Sequence, residues 1–454
     1  MEAGIDFGTT NSSLAHYDGH TIRYFPLDPV NKDPRLLPSL IYIPRDHRPV
    51  IGFGAAQRYI AENVGRPIRY EKRFVGEIEI MVAGTGGSPI VYNEKIYAHE
   101  DVEAPGRLLQ SVKTVLRDEN YRGTFVFKKH YTARDLIRLI LRTARERAEE
   151  SLGRPLTHVV LGRPVIFSDD PVVDEQAQMT IFEAAQEAGF KEVTFELEPV
   201  AAAYAYHVQA RRRELALVFD FGGGTLDFTI VRVGGNTPPE VLATQGVLLG
   251  GDDIDRRIVQ SMEKYFGAGT TFRPGMGGQE LPFPRYLTSH IQDWQTLLEL
   301  AAPEHAHVLD QAVRTGSNPN RIRALKSLVY NNLGFSLRNE AERTKIALSE
   351  NLYAIFSFKG PEINISEAFT RQRLENQLRH TVKQIERGLN RVLNKAGVAA
   401  DEIDVVLRTG GSASIPLYIR LLEERFGAEK IVAQDAFTSI TAGLAIVAHE
   451  RYGG

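Results

Sequence analysis

Two short stretches carry an acid and a glycine turn in the same order. "GIDFGTTNSS", residues 4–13, runs apolar into Asp6, turns through Gly8, Thr9, Thr10 and Asn11, and then resumes alternation. "VFDFGGGTLDF", residues 218–228, runs into Asp220, turns through Gly222, Gly223, Gly224 and Thr225, and resumes alternation past Asp227. Successive backbone N–H groups in a turn form a concave anion site, and glycine lets a backbone approach a phosphate closely. Magnesium favours a few carboxylates together with water and phosphate oxygens. Two such turns facing across a cleft, each backed by an aspartate, would clamp a magnesium-bound polyphosphate. The competing reading is two ordinary β-hairpins with polar turns. The repeat of the Asp-Phe-Gly lead at both places favours the clamp. No G-x-x-x-x-G-K-[ST] occurs, so a P-loop is excluded.

The elements that must hold these turns can be read from patterning. Residues 1–25 form a meander of three strands, and "LLPSLIYIP" (36–44) adds a strand with a Pro-Ser turn. Residues 76–106, rich in glycine, proline and charge, read as irregular surface or short hairpins. "TARDLIRLILRTARERAEESL" repeats apolar residues at helical spacing behind an N-capping Thr132, and Gly153 and Pro155 close it. "THVVLGRPV" reads as a buried strand, and 172–189 as a helix ending in glycine. "EVTFELEPVAAAYAYHV" passes from strand to helix, with Pro199 placed at the first helical position. "GVLLGGDDIDRRIVQSM" turns through Gly250 and Gly251 into a helix. Residues 286–350 are mainly helical after a Gly/Pro-rich stretch at 267–285. "EIDVVLRTGGSASIPLYIRLLEERFG" reads strand, glycine turn, helix, and "FTSITAGLAIVAHERY" ends in a helix. The two halves meet near the basic run Arg211-Arg212-Arg213, which reads as a solvated connector.

Bulk properties narrow the function. The chain has 454 residues, 43% hydrophobic and 24% charged, enough for two or three domains. A formal net charge of -3 gives no basic surplus for nucleic acid or anionic membrane. The absence of cysteine excludes disulfides, thiolate catalysis and cysteine–zinc sites. No apolar run is long enough to span a bilayer, and Glu2 and Asp6 break any signal-like start, so the expected compartment is the cytoplasm.

Together, "GIDFGTTNSS", "ELEPVAAAYAY", "VFDFGGGTLDF", "LGGDDIDRRI", "AERTKIALSE" and "TGGSASIP", in this order, resemble the ATPase domain of DnaK-type seventy-kilodalton heat-shock chaperones within the actin-like ATPase superfamily. More narrowly, the chain resembles the short YegD-type members, which lack a peptide-binding domain. It implies an α/β fold of two actin-like, ribonuclease-H-like lobes around a nucleotide cleft. The expected division is 1–211 plus a closing helix in 431–454 for lobe I, and 212–430 for lobe II, with an enlarged helical subdomain at about 256–365. ATP or ADP and magnesium are the implied cofactors. Asp6 and Asp220 would hold magnesium through water, with Asp227 nearby. Gly8, Thr9, Thr10 and Asn11 would bind the β- and γ-phosphates, while Gly222, Gly223, Gly224 and Thr225 close from the other side. Glu198 would position the attacking water or couple hydrolysis to lobe motion; as a first-turn acid it also suits the helix dipole. Gly250 and Gly251 would help bind the nucleotide; Glu342, Lys345 and Ser349 would contact the ribose and adenine, and Gly410, Gly411 and Ser412 would approach the nucleoside from the other lobe. For Glu342 and Lys345 a solvated ion pair at helical spacing is the other reading.

The resemblance also implies a lysine near the γ-phosphate. Lys72 in "YEKRFVG" and Lys113 in "LLQSVKTVLRD" are both candidates, and the spacing to "RPVIF" favours Lys113. Ser414 stands where the family usually has an arginine against the adenine. Residues 267–335 look longer than the usual subdomain and read either as a partner surface or as an inert insertion. The expected activity is slow, magnesium-dependent ATP hydrolysis driving lobe closure, with a protein client or co-chaperone as a possible partner and neither nucleic acid nor membrane. The alternatives are a nucleotide-gated interaction module with negligible turnover, a small-molecule kinase of the same superfamily, and a filament-former.

Overall fold

The structure is a computed structural model and describes residues 1–82, 90–235, 237–275, 278–435 and 438–453. Two five-strand cores organise it. The first comprises β1 (Glu2–Phe7), β2 (Asn11–Tyr17), β3 (Ile22–Tyr24), β4 (His158–Arg163) and β5 (Glu192–Leu197). The second comprises β6 (Glu214–Phe221), β7 (Leu226–Val233), β8 (Glu240–Val247), β9 (Val405–Thr409) and β10 (Ile431–Ala433). The orders are β5-β4-β1-β2-β3 and β8-β7-β6-β9-β10. In each sheet the first three strands form an antiparallel meander, and the last two add in parallel on the other side of the first. The two sheets therefore share one topology, and the duplicated turns occupy equivalent β1–β2 and β6–β7 corners.

Burial explains the strand composition. Six consecutive residues of β6, Ala216–Phe221, are buried, as expected of a strand covered on both faces. Helices Ala133–Leu152 and Pro171–Glu187 pack within the core of the first sheet. Thr132 and Asp135 form a reciprocal capping box on the first of these, and Gly153 ends it at φ 70°. Helices Arg379–Ala396 and Pro416–Phe426 contribute to the core of the second sheet.

Four further elements bear on the site: helices α1 (Glu198–His207), α2 (Gly251–Gln260), α3 (Gly334–Glu350) and α4 (Ser439–Tyr452). α1 and α4 pack together between the sheets, in a core shared with Val160 of β4 and Val218, Val231 and Leu407 of the second sheet. Their small residues have a steric cause. A Cβ on Gly443 would lie 1.7 Å from the carbonyl oxygen of Ala201, and one on Gly4 would lie 2.3 Å from the Ala445 nitrogen.

Several sequence expectations need correction. Residues 76–106 belong largely to a long antiparallel hairpin, Tyr70–Val82 with Ile90–Asp101; residues 83–89 lie outside the described residues. Of the two readings, irregular surface or short hairpins, the hairpin holds, as one long pair of strands. "LLPSLIYIP" divides into Leu37–Pro38, paired with β2, and Leu40–Pro44, paired in a separate three-stranded sheet. Glu198 takes the first position of α1 and Pro199 the second. Ile431–Ala433 is a strand of the second sheet, so only the helix after it returns to the first. Positions 276–277, within the Gly/Pro-rich stretch, and 436–437 and 454, near the chain end, lie outside the described residues.

Candidate functional site

The two turns are built alike. The Gly8 N–H donates to the Asn11 carbonyl at 3.0 Å, and the Gly222 N–H donates to the Thr225 carbonyl at 3.0 Å. Asp6 pairs in register with Ser13, and Asp220 pairs with Asp227, so the second corner carries one more carboxylate than the first. The turns face each other closely. A Cβ on Gly223 would come within 2.3 Å of the Thr10 hydroxyl, and one on Gly224 within 2.6 Å of the Thr9 hydroxyl. Arg117 crosses between the lobes to donate to the Gly224 carbonyl at 2.5 Å.

A cavity of about 200 Å³ lies between the turns. Asp6, Gly8, Thr9, Thr10, Asn11, Lys113, Glu198, Asp220, Gly222, Gly223, Gly224 and Thr225 line its inner part. Gly251, Glu342, Lys345, Ser349, Gly410, Gly411 and Ser412 line it too. Asp227 stands one layer back, where its Oδ1 accepts from the Val165 N–H at 2.9 Å. Gly250 supports the second turn from outside the cavity: a Cβ there would meet the Gly223 carbonyl oxygen at 2.1 Å. Lys72 is exposed on the long hairpin, its ammonium 4.8 Å from the centre of the Tyr97 ring. Ser414 is exposed and does not line the cavity.

Charge in the inner part is lopsided. Lys113 and Glu198 are both 7% exposed and form a buried ion pair at 2.7 Å. Among the described residues Lys113 is the single cation lining this part, facing Asp6, Glu198 and Asp220. Burial, then the charges of Glu198, Asp227 and Asp6, hold the Asp220 carboxyl well above the usual carboxylate range. Burial and Glu198 push Asp227 up to about 7. Asp6 is raised by burial and Glu198 as well, against the opposing pull of Lys113.

These residues fit a hydrated divalent cation. The cluster carries excess negative charge that a cation would relieve, with Asp227 buried behind it and bonded to the Val165 N–H and the Thr225 side chain. No group of three or more His, Asp or Glu side chains has direct metal-ligating geometry among the described residues.

The outer part of the cavity rests on a charge network that the sequence did not reveal. Lys345 pairs with Asp255 at 2.9 Å, and Glu342 pairs with Arg338 at 2.8 Å, rather than with each other. Arg338 also reaches Asp252 at 3.0 Å. Burial works against the charge of Lys345, but Asp255 and Glu342 raise its pKa above the ordinary lysine value. The acid spacing in "GGDDIDRRI" signals that Asp252 and Asp255 fall on neighbouring turns of α2. Their partners on α3 come from tertiary packing. Ser412 donates to the Gly222 carbonyl at 3.2 Å, and Gly410, at φ 80°, passes against the backbone of Phe221.

The sequence matches the family described as "Hsp70 protein" over residues 2–272 and 329–453, most of the chain. The chain belongs to the Hsp70 family. Its two sheets of one topology and the cleft between them are the two-lobed, actin-like ATPase fold of that family, whose members bind ATP and act as chaperone-like ATPases. The match does not extend over 273–328. Members of the family commonly bind protein clients and co-chaperones. Among the described residues no helix is long and apolar enough to cross a membrane.

Proposed function

We propose that the chain binds magnesium–ATP between the two glycine turns, hydrolyses it slowly, and closes its lobes around it. The duplicated turn, with its shared closing hydrogen bond and opposed carboxylates, carries this reading. The N–H groups of Gly8 and Gly222 close the turns themselves. Those of Thr9, Thr10, Gly223 and Gly224, next along the chain, would receive phosphate oxygens. Asp6 and Asp220 would hold the hydrated metal, with Asp227 behind them. When bound, the metal neutralises charge on the phosphates.

Lys113 would turn its ammonium from Glu198 towards the terminal phosphate. Glu198, released from that pair, would orient the attacking water. Nothing here demands a strong base, because phosphoryl transfer is promoted chiefly by positioning and charge neutralisation. Glu342, Lys345 and Ser349 from α3, and Gly410, Gly411 and Ser412 from the β9 turn, would hold the nucleoside. Turns from both lobes would contact one polyphosphate, which supports lobe closure as the output, with a protein client or co-chaperone reading the closed state.

The test is ATP turnover with and without magnesium, in the wild type and in Asp220→Asn. Turnover should require the metal and fall on the order of 10²-fold in the variant, as expected for loss of a preorganised charged group. Wild-type turnover in Asp220→Asn, or turnover indifferent to a chelator, would reject the reading.

A further inference from the structure

A second cavity, of about 610 Å³, shares no lining residue with the one between the glycine turns. Part of its wall is the segment outside the family match, 273–328, through Trp294, Leu298 and Ala302. Another part is first-lobe chain, residues 106–108 and 123–127. Both of these stretches belong to edge strands. Gly106–Gln110 ends a three-stranded sheet, and among the described residues it pairs only with Leu40–Pro44. Thr124–Val126 pairs, among the described residues, only with Lys129–Tyr131.

The geometry of this short hairpin shows which groups its open edge presents. Phe127 and Lys128 join the strands as a two-residue turn, with positive φ at both, 47° and 71°. Residues flanking such a turn form a hydrogen-bonded pair, and bonded and non-bonded pairs then alternate along the strands. Val126 and Thr124 therefore bond to the partner strand, and the main chain of Phe125 points away from it. The Phe125 carbonyl accepts from Arg107 at 2.8 Å, and Arg107 also donates to the Thr124 hydroxyl oxygen at 2.8 Å. An arginine side chain thus holds a backbone group that a neighbouring strand would hold in a larger sheet.

The surroundings favour such a strand. Phe125 is 38% exposed and Tyr97 46% exposed, and both line the cavity together with half-buried Trp294 and Leu298. A two-stranded hairpin is marginal by itself, and an open edge is a template for pairing with another chain. An extended peptide presents N–H and C=O groups at the repeat of the edge and sends alternate side chains to one face, here the aromatic one. A helix satisfies its own backbone and would leave the edge unpaired.

We propose that this cavity is a peptide site. An extended segment of another protein, apolar at alternate residues, adds as a strand to the Thr124–Val126 edge and lays its side chains against Phe125, Tyr97, Trp294 and Leu298. The site lies outside the nucleotide cavity, so it stands or falls independently of the nucleotide reading.

The experiment titrates the full chain into a fluorescein-labelled heptapeptide alternating leucine and serine, read by anisotropy. Unlabelled peptide is followed in parallel by the emission of Trp294, the chain's single tryptophan. Binding should saturate in both signals. N-methylation of alternate amides in one register should weaken it roughly tenfold, the scale of one or two lost hydrogen bonds, and methylation in the other register should change it little. Leu298→Asp, at a half-buried wall position, should weaken binding roughly tenfold by placing a charge against the apolar side chains, with the thermal melt unchanged. A helix-forming peptide of equal leucine content should bind more weakly than the extended one. No binding at millimolar peptide, equal losses for the two methylation registers, constant Trp294 emission on binding, or preference for the helical peptide would each overturn the strand-addition site.

Discussion

Gly250 lies outside the cavity, yet Gly250→Ala should damage activity through backbone contact alone. The residue is extended, at φ -137° and ψ 175°, so alanine brings no intrinsic backbone strain. The added Cβ would sit 2.1 Å from the Gly223 carbonyl oxygen, 2.5 Å from its carbonyl carbon and 2.5 Å from the Gly224 Cα. All three are backbone atoms, so no side-chain rotation relieves the clash. Restoring even a 3.0 Å contact moves the second turn or the start of α2 by about 0.9 Å. The turn is also tied to α2 by the Gly251 and Asp252 N–H groups, which donate to the Gly222 and Gly223 carbonyls at 3.0 Å each, so the displacement disturbs those bonds too. Overpacking of this kind costs about 1–3 kcal/mol of stability. A displacement near 1 Å in a positioning element costs on the order of 10²-fold in rate. Steady-state ATP turnover and a thermal melt on the same preparation separate the two effects. A melt lowered in Gly250→Ala with turnover intact would mean that α2 yields and the turn does not, and would refute the bracing role assigned to Gly250.

Two further outcomes follow from charge. Lys113→Ala should lower kcat more than nucleotide affinity and should also destabilise the fold, because it leaves Glu198 buried without its partner. Lys72→Ala should change neither, its ammonium being exposed beside Tyr97; the reverse pattern in a turnover assay would move the phosphate lysine to the hairpin. In metal-free, nucleotide-free buffer, stability should fall as pH rises. Asp227 has a folded-state pKa of about 7 against an ordinary 3.8, so between those values the folded chain binds more protons than the unfolded one, and the loss builds through that window. Asp6 and Asp220 are displaced in the same direction and add to the slope. Denaturant midpoints at pH 5 and pH 7 measure it; a higher midpoint at pH 7 would show that the carboxylates are not held in this strained, uncompensated way.

The sequence exposed the parts of this molecule that depend on local chemistry. An acid before a glycine turn is a local pattern, and both turns fell where the pattern placed them, at equivalent corners of equivalent sheets. The capping box at Thr132 and Asp135 is likewise local, and it was visible as a helix start. What stayed hidden depends on partners distant along the chain. The pairing of Lys345 with Asp255 rather than Glu342 is set by the packing of α3 against α2, which no spacing along either helix encodes. The long hairpin at 70–101 was obscured for a different reason. Glycines and charges dominate 76–106, and the pairing of its two strands with each other is set by residues up to 31 positions apart.

The roles of α1 and α4 show how much of the mechanism lies beyond pattern recognition. Their alanine- and glycine-rich segments read simply as helices. In the fold those same residues permit two backbones to meet at a distance that no Cβ on Gly443 could share with the Ala201 carbonyl. The helix α1 also begins with Glu198, whose carboxylate reaches Lys113 in the cleft. One short helix thus joins the packed junction between the sheets to the charge cluster between the turns. Under the proposed reading, a shift of the lobes about that junction would carry Glu198 with it, and the buried Lys113–Glu198 pair would be where chemistry in the cleft and movement of the lobes meet. A buried pair suits that task because breaking it is costly unless another charge takes its place. A phosphate facing Lys113 would be such a charge, and so the nucleotide itself would supply the free energy that separates the pair and frees Glu198.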